Sequence, residues 1–197
     1  MSPPFDFIDP GLLLDRELEL VEPALAWVDS LLAAIRHPTT QRDMPSERRI
    51  TRDDLLQFLH DCPRGRNAGD PACDRVPAYH FWMRLRAHPR AITIVGGIGL
   101  RVGHTPHVER YAGHIGYHVY PPYRGHHYAE RACRLLLPLA RRHGLREVWI
   151  TCNPDNGPSR RTCERLGATL VEVVAVPPDD SLYQRGEREK CRYRVDL

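Results

Sequence analysis

Six residues, Arg124-Gly125-His126-His127-Tyr128-Ala129, lead into an amphipathic helical pattern just after a stretch that stops at Pro121-Pro122. The first N–H groups of a helix lack intrahelical partners and sit at the positive end of its dipole. Arg124 adds a full charge, so the loop reads as an anion site suited to a pyrophosphate. Upstream lies His114, one residue before the run Ile115 to Tyr120. A neutral imidazole near pH 7 can take a proton from an ammonium group or an attendant water, which makes His114 a candidate general base. Its other reading is a histidine satisfied within a sheet. Downstream, Asn156 and Ser159 have the spacing of a turn and helix cap. Cys163 falls inside the helix that follows. A nucleophilic thiol needs a lowered pKa and access, and neither is visible there, so Cys163 reads as a buried helix residue.

The elements that must position these groups follow from periodicity. Ile115 to Tyr120 mixes β-branched and aromatic residues, as a strand does. Period-two alternation puts His114, Gly116, His118 and Tyr120 on one face and Ile115, Tyr117 and Val119 on the other. After the loop, Ala129, Ala132, Cys133, Leu136, Leu137 and Ala140 share one helical face. Pro138 lies within that helix and predicts a kink or an early end. A second strand spans Glu147 to Cys152, and a short helix ends at Leu166-Gly167. Strand, loop, helix, strand is a crossover unit, which predicts that the two strands are parallel neighbours.

This stretch resembles the cofactor-binding core of the GNAT superfamily of acyl-CoA N-acyltransferases. Family members have a strand ending V-x-P, then Arg/Gln-x-x-Gly-x-Gly/Ala, a long helix, and later an Asn-x-x-Ala/Ser helix closing with Leu-Gly. Here these are Val119-Tyr120-Pro121, Arg124 to Ala129, Asn156 to Ser159 and Leu166-Gly167-Ala168. The run GHIGYHV and the C-terminal Cys191-Arg192-Tyr193 also resemble a bacterial branch of that superfamily. Several motifs match in order and spacing, which is more specific than a lone glycine loop. The resemblance implies an acetyl-CoA site made by Tyr117, Val119, Arg124, Gly125, His126, His127, Tyr128 and Ala129. Asn156 and Ser159 would lie beside the pantetheine arm. It also implies an acetyl group moved to a primary amine of a small molecule or peptide by direct attack, with His114 where the family often has glutamate. Tyr193 or Tyr117 would protonate the leaving thiolate. Three positions depart from the pattern: His127 replaces the middle glycine, His114 the glutamate, and Cys163 a tyrosine that often serves as general acid. Those departures keep open a different class of function, a CoA-binding sensor or assembly module with little or no chemistry.

The rest of the chain sets bounds. With 197 residues, 42% of them hydrophobic, it has enough apolar material for one core and reads as a single domain over 1–197, with 1–15 as a loose arm and 111–176 as the acetyl-CoA-binding core. Strand patterns at Leu18 to Val21, Ala78 to Arg86, Ala91 to Val102, Leu170 to Val176 and Cys191 to Val195 join helical ones at Leu25 to Ile35 and after Thr51. Residues 38–50, 61–77, 104–109 and 177–186 read as loops. The expected architecture is α/β (α+β): a mixed, mostly antiparallel central sheet with helices on both faces and splayed central strands. No apolar run approaches the ~20 residues of a membrane span, and MSPPFDFIDP has no secretory pattern. Six scattered cysteines without a C-x-x-C pair predict reduced thiols and a cytoplasmic setting. His104-x-x-His107 and His126-His127 lack an evident acidic or cysteine partner, so no metal is expected. A net charge of +3 argues against an extended nucleic-acid footprint. The expected partners are the amine acceptor that the resemblance implies and a second copy of the chain.

Overall fold

The computed structural model describes residues 5–44, 46, 49–70, 72, 75–86 and 94–197. Strands β1 (Leu18–Val21), β3 (Ala78–Leu85), β4 (Ile94–Arg101) and β5 (Ile115–Val119) form one sheet in that order, and β2 (Arg66–Asn67) pairs with β3. A second sheet has the order β6 (Glu147–Cys152), β8 (Glu189–Asp196), β7 (Thr169–Ala175). Every ladder in both is antiparallel. The α/β class, the antiparallel sheets and the helices agree with expectation. The parallel pairing expected of the crossover unit does not form: β5 and β6 belong to different sheets.

Alternation along β3 decides which helices cover which face. Tyr79, Phe81, Met83 and Leu85 enter one core with α4 (Tyr128–Arg142), α5 (Gly157–Leu166) and residues of the second sheet. Trp82 points the other way, into a smaller core with Leu31, Leu32 and Ile35 of α1 (Val28–Arg36) and Leu55 of α3 (Arg52–Asp61). The capping box read from Thr51 and Asp54 is present: Thr51 Oγ1 accepts from the Asp54 N–H, and the Asp54 carboxylate accepts from the Thr51 N–H.

Several local expectations are corrected. Residues 5–15 are no loose arm: Phe7 meets Tyr79 edge to face at 5.0 Å, and the Tyr79 hydroxyl donates to the Ile8 carbonyl. Pro38–Asp43 is a short helix, α2, because proline at its first position loses no hydrogen bond there. Ser181–Gln184 (α6) interrupts the 177–186 connection, and Val108–Ala112 is a π-helical turn. Helix α4 runs four residues beyond Pro138, held by Leu136, Leu139 and Ala140 in the core. Its buried face also includes Tyr128 and Leu139, while Ala129 and Leu137 are half-buried. Ala91 to Thr93, expected at the head of a strand, and Cys73 lie outside the described residues.

Candidate functional site: a joint and a split between two sheets

The two sheets meet at one residue. His114 gives its backbone N–H to the Trp149 carbonyl at 2.6 Å, and its Nδ1 accepts the Trp149 N–H at 3.0 Å. One side chain thus does what a strand carbonyl would do. Gly113 makes this close approach possible: it has φ 71°, and a Cβ there would lie 3.1 Å from both the Trp149 carbonyl oxygen and the Thr151 nitrogen. Thr151 Oγ1 adds a bond to the Tyr111 carbonyl at 2.7 Å.

Beyond the joint the strands part. They separate right after His114 and Trp149, earlier than an opening at Val119 and Cys152 would have it. The Arg101 N–H bonds the His114 carbonyl, and the Tyr120 N–H bonds the Val95 carbonyl. Alternation therefore turns the backbone groups of Ile115, Tyr117 and Val119 away from β4, toward the open edge. Arg124 Nε donates to the Val119 carbonyl at 3.1 Å, as that orientation requires.

The 124–127 loop lies at the open end, exposed along its length. Gly125 has φ 90°, and His127, the N-cap of α4, adopts the left-handed region at φ 58° without covering the helix N–H groups with its side chain. A histidine thus takes the backbone shape that glycine would take more cheaply. Arg165 of α5 donates to His127 Nδ1 and brings a second guanidinium to the loop. The Tyr128 side chain points elsewhere: it is buried and bonds Glu17, so only its backbone faces the loop. His126 stacks on the Tyr128 ring, 5.4 Å between centroids. Asn156 caps α5 by accepting the Ser159 N–H at 3.1 Å.

Under the split, on the α5 side, two phenols stand near thiols. The Tyr117 hydroxyl lies 2.8 Å from Ser159 Oγ, and burial raises its pKa far above the ordinary phenol range. Cys163 beside it is fully buried, which pushes its thiol up to about 12, so it stays protonated. Tyr193, also buried, accepts from Arg160 Nε at 3.3 Å, and burial raises its pKa as well.

The opposite face of β3, β4 and β5, beyond the small core around Trp82, carries few side chains on β4 and β5. Trp82, Gly97 and His118 align across the strands, as do His80, Gly99 and Gly116. Three glycines leave a floor of backbone, from which His80, His118 and Arg101 rise. His114 and His118, four residues apart on this face, differ sharply. His114 has no exposed surface; burial first, then the neighbouring His104, hold its pKa down to about 4. With Nδ1 accepting, its neutral ring carries the proton on Nε2, which makes no well-formed hydrogen bond among the described residues, the Gly103 backbone being its polar neighbour. His118 is exposed to solvent at its surface, while desolvation by the atoms packed around it, then Arg124, keep its pKa at about 4. Its ring lies over Gly97 and makes an edge contact with Tyr120 at 5.1 Å.

The floor ends in a cavity of about 590 Å³, lined by His80, Arg101, Tyr111, Thr151, Asp180 and Lys190 among others. The histidines of the expected metal test have acidic partners after all, one each: His104 with Glu109 at 2.8 Å and His107 with Asp180 at 3.1 Å. Among the described residues, no three His, Cys, Asp or Glu side chains gather as a metal site, and no helix is long and apolar enough to cross a membrane. Gly113, Trp149, Arg165 and Arg101 escaped the sequence reading; only the glycine before GHIGYHV's histidine carried any signal.

The comparisons fit this geometry. Among solved structures, the microcin C7 self-immunity acetyltransferase MccE, in complex with acetyl-CoA and AMP, is similar at TM-score 0.66 and 18% identity, over 93% of this chain and 94% of that one. The ribosomal alpha-N-protein acetyltransferase RimL, in complex with coenzyme A, has TM-score 0.65 and 17% identity, covering 94% and 98%. A GNAT-family acetyltransferase from Bacillus anthracis has TM-score 0.64 and 17% identity, with the same coverage. At such identities these likenesses concern the fold. No curated protein sequence matches the chain. The model of the acetyltransferase (GNAT) domain matches residues 17–169, most of the chain, which therefore belongs to the GNAT acetyltransferase family and is an acyltransferase.

Proposed function

We propose that the protein transfers an acetyl group from acetyl-CoA to a primary amine of a small molecule or peptide by direct attack. The observation that carries this is the split itself: the edge of Tyr117 and Val119, where among the described residues only the Val119 carbonyl is met, by Arg124, leads from the exposed N-terminus of α4 toward a joint with a cavity on its far side. The solved complexes of MccE with acetyl-CoA and of RimL with coenzyme A support the same choice of donor. The N–H groups of Gly125, His126, His127, Tyr128 and Ala129, with Arg124, hold the pyrophosphate. The Tyr117 and Val119 edge pairs with the pantetheine amides, while Asn156 and Ser159 flank the arm.

The amine nitrogen attacks the thioester carbonyl carbon, the tetrahedral adduct expels the thiolate, and an amide and a thiol result. The thiolate's proton comes from a phenol under the split. Tyr193 and Tyr117 both stand there, and Tyr117 fills the place that Cys163 leaves without a hydroxyl. The amine's proton leaves on the other face. His114 is poorly made for that task, since its Nδ1 lone pair is bonded and its Nε2 is protonated. We assign it to positioning, and assign proton removal to His118, whose ring reaches the cleft and is neutral at pH 7.

A thiol-release assay with acetyl-CoA, with and without a panel of amines, tests the reading. Amine-dependent thiol release is expected. Binding of acetyl-CoA, seen as a raised Tm, without release on any amine would favour the sensor reading instead.

A further inference from the structure

The cavity beyond the joint is cationic, and its charges are unequally matched. Arg75 pairs with Asp70 at 3.3 Å, and Lys190 with Glu187 and with Asn153 Oδ1 at 2.9 Å. Asp180, the wall's acid, is held by His107 and by the Leu182 N–H at 2.8 Å. Arg101 is different. It is half-buried, yet no carboxylate lies within ion-pair distance among the described residues. Its Nη1 donates to the carbonyls of Ala112 and Gly113, at 3.2 and 3.1 Å. Those bonds fix the guanidinium and leave Nη2 and Nε without a hydrogen-bond partner among the described residues. Nη1 lies 3.6 Å from where a Gly116 side chain would begin, so the group stands over β5 beside the joint. Arg185 lies near enough to repel it, and Arg185's own acid, Glu187, is 4.0 Å away and shared with Lys190.

A partly desolvated guanidinium held beside a second one, without a counter-ion among the described residues, costs free energy unless an anion arrives. Arginine's planar fork suits a carboxylate or phosphate bound through two parallel hydrogen bonds. We propose that the acetyl acceptor is a small amine that also carries a carboxylate or phosphate group, and that Arg101, aided by Arg185, binds this anion. The inference rests on the acetyl-transfer reading above. A volume of about 590 Å³ matches the range of small-ligand sites, roughly 300–1,000 Å³.

The test pairs each anionic amine with its neutral counterpart: an amino acid with its amide, and phosphoethanolamine with ethanolamine. Thiol release is measured with the full chain, Arg101→Gln and Arg185→Gln. The wild type should prefer one anionic class by roughly 30-fold or more in kcat/KM, and the preferred class tells carboxylate from phosphate. Arg101→Gln should raise KM for it by roughly tenfold or more and collapse that preference. Arg185→Gln, on an exposed side chain, should lower the preference without risk to folding. Equal use of neutral and anionic members, or equal loss on both in the variants, would overturn the proposal, as would a peptide accepted over every small anionic amine. If no amine is acetylated, the acetyl-transfer reading fails. The anion site is then read from Tm alone: phosphoethanolamine or the amino acid stabilises the wild type and not Arg185→Gln, or the proposal falls too.

Discussion

The same two strands are locked at one end and open at the other. At the joint, Gly113 lets the chains touch, and His114 satisfies both backbone groups of Trp149. Four residues on, the His118 side chain is exposed, and the backbone edge beside it has no strand partner among the described residues. A strand pair becomes a ligand site when its ladder is stopped and the unpaired groups stay fixed in place. The joint supplies that rigidity, and the split supplies the unmet hydrogen bonds.

Replacing His114 should give the largest effect on that contrast. His114→Ala leaves the buried Trp149 N–H without an acceptor and opens a void, so destabilisation of about 3 kcal/mol is expected in urea unfolding. If His114 were instead the catalytic base, kcat/KM would drop roughly 10²-fold and the acidic limb of the pH–rate profile would vanish, with little change in stability. The joint also predicts acid sensitivity. The folded pKa of about 4 lies below the ordinary 6.5, so the unfolded chain binds more protons between those values. Stability is full above pH 6.5 and falls toward pH 4, by up to about 3 kcal/mol from this group. Unfolding curves across that window should flatten in His114→Gln.

His118→Ala tests the open side. It should lower kcat/KM by roughly 10²-fold while changing stability by less than about 1 kcal/mol, because its ring lies exposed in the cleft. Unchanged turnover would shift attention to Glu109, which His104 holds in place. A phenylalanine at Tyr117 or at Tyr193 should slow thiolate departure only where that phenol is the acid, and comparing kcat for the two variants decides between them. Arg124→Ala should give the smallest effect, roughly tenfold in the Kd of acetyl-CoA, or about 1.4 kcal/mol, since the main-chain N–H groups remain. Titration calorimetry would measure it.

Local regularities were legible before any fold was known. The Thr51-Asp54 cap, the two faces of Ile115 to Tyr120, the loop that opens α4 and the buried Cys163 all follow from spacing and residue type, because those interactions span a few residues. Partners far apart in the chain were not. A crossover unit ordinarily makes neighbouring parallel strands, and nothing local says that His114 would end this pairing after one contact. Nor does it tell His114 from His118, which share a residue type and a strand face. The first is sealed by Trp149 and His104, and the second is bared by Gly97. Arg101 was silent in the sequence for the same reason: a guanidinium without a carboxylate partner among the described residues becomes visible only once β3, β5, the 108–112 turn and the 180–185 segment surround it. Sequence alone determined the loop and helix start to which we assign the phosphate. Tertiary structure decided which histidine is sealed and which arginine stands apart from the acids around it, because burial and charge are sums over neighbours that chain order does not bring together.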